Sequence, residues 1–323
     1  MNRITSFQLL SLMLLQSIWE VICIPALPGS GLLTGALCAY LVQMLLLIPL
    51  LSEKPGLFRQ KWIGLVFAGY FLLTGARNLC QISGAAPAIL PTVPEKWAAA
   101  SLLLVTCLYT SAAGIKAAAR CAPLTLGLLV LSLLILAAGA WQHIVPERFY
   151  WSRDGLREGG AVFFTSAELP MLWVLLRRVE GSPRRTVLGY TLARTGFLAL
   201  IVFLLITAGG RLAQSADYPF FTLTALSQPL QGQRADALYI LLFVMLCVMQ
   251  VTMQAGLTAH LLEELFPKLR HTAPAVLPAM LGLSGILGFR TLDGLAAMLL
   301  PVLAFGLPCT LLLLAGLKRR AAA

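Results

Sequence analysis

Long apolar runs separated by short polar clusters repeat from one end of the chain to the other. Ten of them are long enough to cross a bilayer as helices, near residues 4–27, 31–51, 62–86, 97–113, 121–142, 160–177, 187–210, 235–262, 273–289 and 292–316. The ninth is thinned by Pro274, Pro278 and three glycines. The longest polar stretch, His143 to Gly160, falls between the fifth and sixth spans and divides the helices five plus five. Five is odd, so the second set enters the membrane with the opposite orientation, the topology of an inverted repeat. The pattern therefore predicts an all-α integral membrane protein with a transporter-like 5+5 fold. It forms one polytopic domain over residues 1–323, with pseudo-repeats at roughly 1–142 and 160–316. Asp217 to Arg234, interrupted by Pro219, Pro229 and Gly232, is too short to span and predicts a helical turn against the outer face.

Composition supports the membrane class. The chain is 59% hydrophobic and 11% charged, with mean hydropathy +0.86, whereas a soluble domain carries about a quarter charged residues. Charge placement then sets the orientation. An even number of spans puts both termini on one side, and that side collects fifteen of the Lys and Arg residues against seven opposite. The positive-inside rule makes that side, and both termini, cytoplasmic. The net charge of +11 thus reflects topology and some attraction to lipid headgroups, not a nucleic-acid partner. Residues 1–27 read as a retained span, because Glu20 interrupts the apolar region and no small-x-small cleavage site follows. The seven cysteines lie singly in or beside apolar runs and indicate neither a disulfide framework nor a metal site.

Four charges remain at membrane depth: Glu20, Arg77, Glu168 and Arg194. A carboxylate there is costly and marks a pathway or binding site by default. Glu20 precedes Pro25 and Glu168 precedes Pro170, at matching places in the two halves. Paired interruptions of this kind predict broken first and sixth helices around a central site. Glu168 is eight residues from Gly160 and eight from Leu176, near the midplane. Pro170 cannot donate its backbone hydrogen bond and crowds the Ser166 carbonyl, so Thr165, Ser166 and Glu168 become candidate ligand contacts. The competing reading is a glutamate that only hydrogen-bonds a neighbouring helix.

Gln16, Ser17 and Glu20 share one face of the first helix, which makes Ser17 and Glu20 candidates. Trp19 beside them either lines a pocket or anchors the outer interface. Arg77 is expected to pair with Glu20 or Glu168, to hold a substrate carboxylate bidentately, or to snorkel outward. Arg194 is expected to snorkel to the cytoplasmic interface, since the apolar run after it is almost long enough alone. Gln250, Gln254 and Thr258 form one polar stripe, which either lines a cavity or serves as interhelical glue. His260, Glu263 and Glu264 read as a solvated helix end. With three histidines and no Gly-x-Ser-x-Gly or phosphate-binding loop, nothing points to an enzyme, a metal or a cofactor.

Five segments, in order, carry a resemblance to a known family. They are Ile4-Thr5-Ser6-Phe7-Gln8-Leu9; Leu90-Pro91-Thr92-Val93-Pro94 with Trp97; Gly114-Ile115-Lys116-Ala117-Ala118-Ala119-Arg120; Phe163 to Pro170; and Tyr218-Pro219 followed by Arg234-Ala235-Asp236-Ala237-Leu238. Together they resemble the permease-like B subunits of spore germinant receptors, within the amino acid–polyamine–organocation transporter superfamily. Where that family has a glycine-rich break in the first helix, this chain has Ser17-Ile18-Trp19-Glu20. The resemblance implies a site between the first and sixth helices and a small nutrient ligand such as an amino acid. It also implies A-type and lipoprotein C-type partner subunits in the inner membrane of a spore. Two other functions fit the same residues: a proton-coupled transporter of amino acids or similar solutes, and a permease-derived scaffold without a ligand.

Overall fold

A computed structural model describes residues 4–22, several positions between 33 and 43, 61–89, 96–149, 168–176, 178–180, 182–214, 216, 218–227, 236–268, 272–301 and 303. The described residues are almost entirely helical: α1 Ser6–Ile22, α2 Lys61–Ile89, α3 Lys96–Ala113, α4 Ile115–Ala140, α5 Glu168–Leu176, α6 Pro183–Leu204, α7 Gly210–Gln214, α8 Pro219–Leu226, α9 Asp236–Leu265 and α10 Ala273–Pro301. Five stretches are long and apolar enough to cross a membrane: Lys61–Ala85, Ile115–His143, Arg185–Gly209, Leu238–Leu265 and Pro274–Leu300. Ser6–Ile22 and Leu103–Ala113 are shorter apolar helices. The molecule is an all-α membrane protein. Most of the expected second span, the segment 160–167 and all but the start of the tenth span lie outside the described residues.

The packing centres on α2 and α9. α2 lies along both α9 and α10, while α1 packs on α4 and α6, and α9 also meets α3 and α4. One apolar core runs through these contacts, with Trp19, Phe67, Tyr70 and Phe71 among its largest fully buried members. The outward faces of α4 and α10 are apolar too, with Leu124, Leu131, Ile286 and Met298 exposed. That is the surface a lipid-facing helix presents.

Several local features refine the expected pattern. α1 is continuous through Ser17–Glu20, so the anticipated interruption there is helical. No Gly or Pro stands between Ser6 and Ile22, and Pro25 is outside the described residues. The Lys116–Arg120 segment, expected as a connection, is already helical. Gly114 alone, at φ 84°, makes the corner between α3 and α4. The turn expected near Asp217–Arg234 is α8, packed against α4, α9 and the end of α6. The end of α6 widens into a π-turn over Leu205–Gly209, whose Thr207 carbonyl accepts from the Val145 amide (3.1 Å) and the Arg148 guanidinium (3.4 Å). At the opposite end, Ile4–Thr5 pairs in parallel with Val179–Glu180. With Ser6 Oγ donating to the Glu180 carbonyl (3.1 Å), this two-residue bridge ties the start of α1 to the segment after α5.

α10 is interrupted at Gly288 (φ 68°, ψ 167°), near the end of the ninth predicted span. That backbone region is essentially restricted to glycine. Gly288→Ala should therefore cost about 1–3 kcal/mol in denaturant unfolding of the detergent-solubilised protein. Gly285→Ala, at a helical position where a Cβ meets nothing within 4 Å, should be neutral or stabilising by up to about 1 kcal/mol.

Candidate functional site

Glu168 is the hub of a buried polar cluster built from α1, α5, α6 and the described residues near 40. Its Oε1 accepts from Ser17 Oγ (3.0 Å) and Tyr190 OH (3.1 Å), and it forms an ion pair with the Arg194 guanidinium. Ser17 and Tyr190 also touch each other at 2.7 Å. Two hydroxyl protons thus serve three contacts, so the donors can be redistributed without moving either side chain. Arg194 is held from several sides. Its Nη1 donates to Gln43 Oε1 (3.2 Å), and its guanidinium lies 3.8 Å above the Tyr40 ring, a cation–π arrangement suited to arginine. A cavity of about 10 Å³, the size of one water, opens beside Ser17, Val21, Tyr40, Arg194 and Phe197.

The local sequence explains the cluster. Tyr190 and Arg194 are one turn apart on α6 and face the same way, toward Ser17 on α1. Two near-fully buried ions of opposite sign, at 5% and 1% side-chain exposure, satisfy one another where neither can reach water. Arg194 is therefore buried and paired, and does not snorkel outward as the length of the apolar run after it had suggested. α6 begins at Pro183, which places Arg194 three turns inside the helix.

A second charged group adjoins the first. Arg77 on α2 reaches Glu20 (3.8 Å) and Asp293 on α10 (3.3 Å), and the Glu20 carboxyl lies against that of Glu168. Arg77 is buried rather than snorkelled. It joins three helices, with the half-exposed Asp293 just past the Gly288 break. Asp293 was not among the residues singled out in the sequence.

Among the other candidates, Trp19 is fully buried and stacks on Phe243 of α9 at 5.4 Å between ring centres, so it faces the bundle interior. Gln254 Oε1 accepts from Thr74 Oγ1 of α2 (3.1 Å). Gln250 is buried one turn away, and its Oε1 has no hydrogen-bond partner among the described residues. Thr165 and Ser166 lie outside the described residues. The structure thus brings Ser17, Glu20, Arg77 and Glu168 into one network and adds Tyr40, Gln43, Tyr190, Arg194 and Asp293 to it. His260, Glu263 and Glu264 close a helix end, where Glu263 accepts from the amide and hydroxyl of Thr272 (3.1 and 3.3 Å) and Glu264 lies 3.9 Å from Arg178. Among the described residues no group of three His, Cys, Asp or Glu is placed to hold a metal.

A scan of the sequence against protein-family models finds no match, and a search of curated proteins finds none.

The geometry separates the two ion-pair groups energetically. Glu168→Gln leaves Arg194 buried without its counter-ion and should destabilise the solubilised protein by about 3–5 kcal/mol. Combining it with Arg194→Gln should recover part of that loss, a coupling on the order of 1–3 kcal/mol in a double-mutant cycle. Asp293→Asn removes a partner that is half exposed at the protein surface and should cost less than Glu168→Gln, below about 1 kcal/mol.

Proposed function

We propose that this chain is a permease-like membrane subunit that binds a small amino-acid-like nutrient between its first and sixth spans, and that it senses that nutrient for a spore germinant receptor. The ligand class is carried by one observation, the buried Glu168–Arg194 pair. A free amino acid bears an ammonium and a carboxylate on one carbon. Glu168 suits the first and Arg194 the second, the latter with a fork that matches a carboxylate. Such a solute can enter between them, exchange one ion pair for two and leave the buried net charge unchanged. Ser17 and Tyr190 stand ready to donate to whichever carboxylate needs them.

The receptor assignment is supported by the five ordered segments of sequence resemblance. With it come the finer features of the fold: ten spans in a 5+5 inverted repeat, cytoplasmic termini and a place in the inner spore membrane. The charge asymmetry between the two sides supports that orientation. A- and C-type subunits are the partners that belong with this assignment, and nutrient binding acts by its differential affinity for two receptor conformations. A second reading, a proton-coupled transporter of the same solutes, is favoured by Glu20. Two carboxyls in contact, Glu20 and Glu168, can hold one proton between them, as a proton relay requires.

Thermal-shift measurement on the purified, folded protein against single amino acids tests the ligand class. At about 100 times its Kd a true ligand stabilises by roughly 2.7 kcal/mol, and Glu168→Gln or Arg194→Gln should remove that gain. A flat response across the panel would overturn the assignment. Loss of the germination response in a Glu168→Gln strain, without solute uptake in vesicles carrying the native protein, supports the sensor. Proton-coupled uptake lost on the same substitution supports the transporter.

A further inference from the structure

α2 and α9 run antiparallel in a register that two contacts fix. Near one end Gly64 lies against Leu265, whose Cδ1 is 3.0 Å from where a Gly64 Cβ would stand. Ten residues along α2 and eleven back along α9, Thr74 Oγ1 donates to Gln254 Oε1 at 3.1 Å. One further turn brings Asn78 of α2 level with Gln250 of α9, each on the same face as the bonded pair below it. Asn78 is fully buried and Gln250 is 2% exposed. Asn78 Oδ1, Asn78 Nδ2 and Gln250 Oε1 have no hydrogen-bond partner among the described residues.

Several other polar side chains of α9 make interhelical hydrogen bonds. Thr252 meets Thr110 of α3 at 2.6 Å, and Tyr239 OH donates to the Ser132 carbonyl of α4 at 3.2 Å. Buried polar groups are normally paired, and among the open ones Asn78 and Gln250 are neutral amides brought to one level of the α2–α9 contact. The level also adjoins the charged network. Arg77, next to Asn78 in the chain, reaches Glu20 at 3.8 Å, and Glu20 lies against Glu168.

We propose that Asn78 and Gln250 form a second subsite, which reads the side chain of the ligand held at Glu168 and Arg194 and selects an uncharged group able both to donate and to accept, a carboxamide or hydroxyl. This rests on the amino-acid reading above. Neither amide carries charge, and the nearest ion, Arg77, is already paired with Glu20 and Asp293, so the subsite gives a charged side chain no counter-ion. An apolar side chain would keep the amide atoms unpaired. Sites built to hydrogen-bond a substrate group reject the analogue lacking it strongly.

The test compares near-isosteric pairs on the purified full-length protein by calorimetry: asparagine against leucine, glutamine against methionine, threonine against valine. The polar member should bind at least about tenfold tighter, and Asn78→Leu or Gln250→Leu should carry that ratio toward one through weaker binding of the polar member. Asn78→Ser and Gln250→Met serve if the leucine variants do not fold. Equal affinities within each native pair would overturn the subsite and leave the Glu168–Arg194 assignment standing. So would a substitution that changes only thermal stability and preserves the ratio, since interhelical glue would do that. Folded protein that binds no amino acid at all overturns the proposed function first, and the subsite with it.

Discussion

A carboxylate buried among apolar helices has to find its donors within the protein, and Glu168 finds three on one oxygen: Ser17 from α1, and Tyr190 and Arg194 from α6. Desolvating such a pair costs several kcal/mol per ion, recovered only when the geometry is good and further hydrogen bonds complete it. That condition dictates much of the surrounding architecture. α5 must deliver Glu168 to the α1–α6 contact, α6 must turn two residues of one face toward α1, and Gln43 and Tyr40 must complete the guanidinium. The short parallel bridge from Ile4–Thr5 to Val179–Glu180 fixes the same elements at their far ends. α1 and α5 are thus held together at two levels, once by backbone and once by charge.

The second ion-pair group is organised differently. Arg77 is buried, but Asp293 is half exposed and Glu20 is one-fifth exposed, so part of this group lies at the protein surface and the geometry is looser. It joins α1, α2 and α10 around the Gly288 break, where the backbone of α10 changes direction. The tight pair therefore lies in the fully buried interior, while the looser triad reaches the protein surface. The amides of Asn78 and Gln250 occupy the adjoining α2–α9 contact. Buried charged and neutral polar groups thus come from different helices at neighbouring places.

How much of this was legible in the sequence varied by residue. The apolar runs located the helices, because span length and composition are local properties of the chain. Glu168, Glu20 and Arg77 stood out for the same reason, as single charges in apolar surroundings. Arg194 did not. Its depth was judged from the apolar run after it, whereas the helix starts eleven residues before it at Pro183. Tyr190, one turn earlier, was the signal that could have corrected this, since an aromatic hydroxyl and a guanidinium on one face of an apolar helix both require partners. Asp293 was hidden by its place at the very start of the tenth predicted span. Only the kink at Gly288 and the packing of α10 on α2 bring it to Arg77. The matched level of Asn78 and Gln250 depends on the register of two helices far apart in sequence, which no local pattern encodes.

The distribution of polarity bears on why these groups are kept. The exposed faces of α4 and α10 are leucine-, isoleucine- and methionine-bearing, and lipid tails are as apolar as those side chains. Helix association in a bilayer therefore gains little from apolar burial and relies on close packing and interhelical hydrogen bonds. Such hydrogen bonds can be supplied by neutral pairs, as Thr110–Thr252 and Tyr239–Ser132 do here. A fully buried Glu–Arg pair adds a desolvation penalty that those neutral contacts avoid, and replacing such a pair by well-packed apolar residues is often neutral or stabilising. Stability alone thus gives no reason to place Glu168 and Arg194 at the α1–α6 contact. The proposed recognition of a solute carrying both charges would supply one, because opposite fixed charges can replace the water that such a solute loses on entering the bundle.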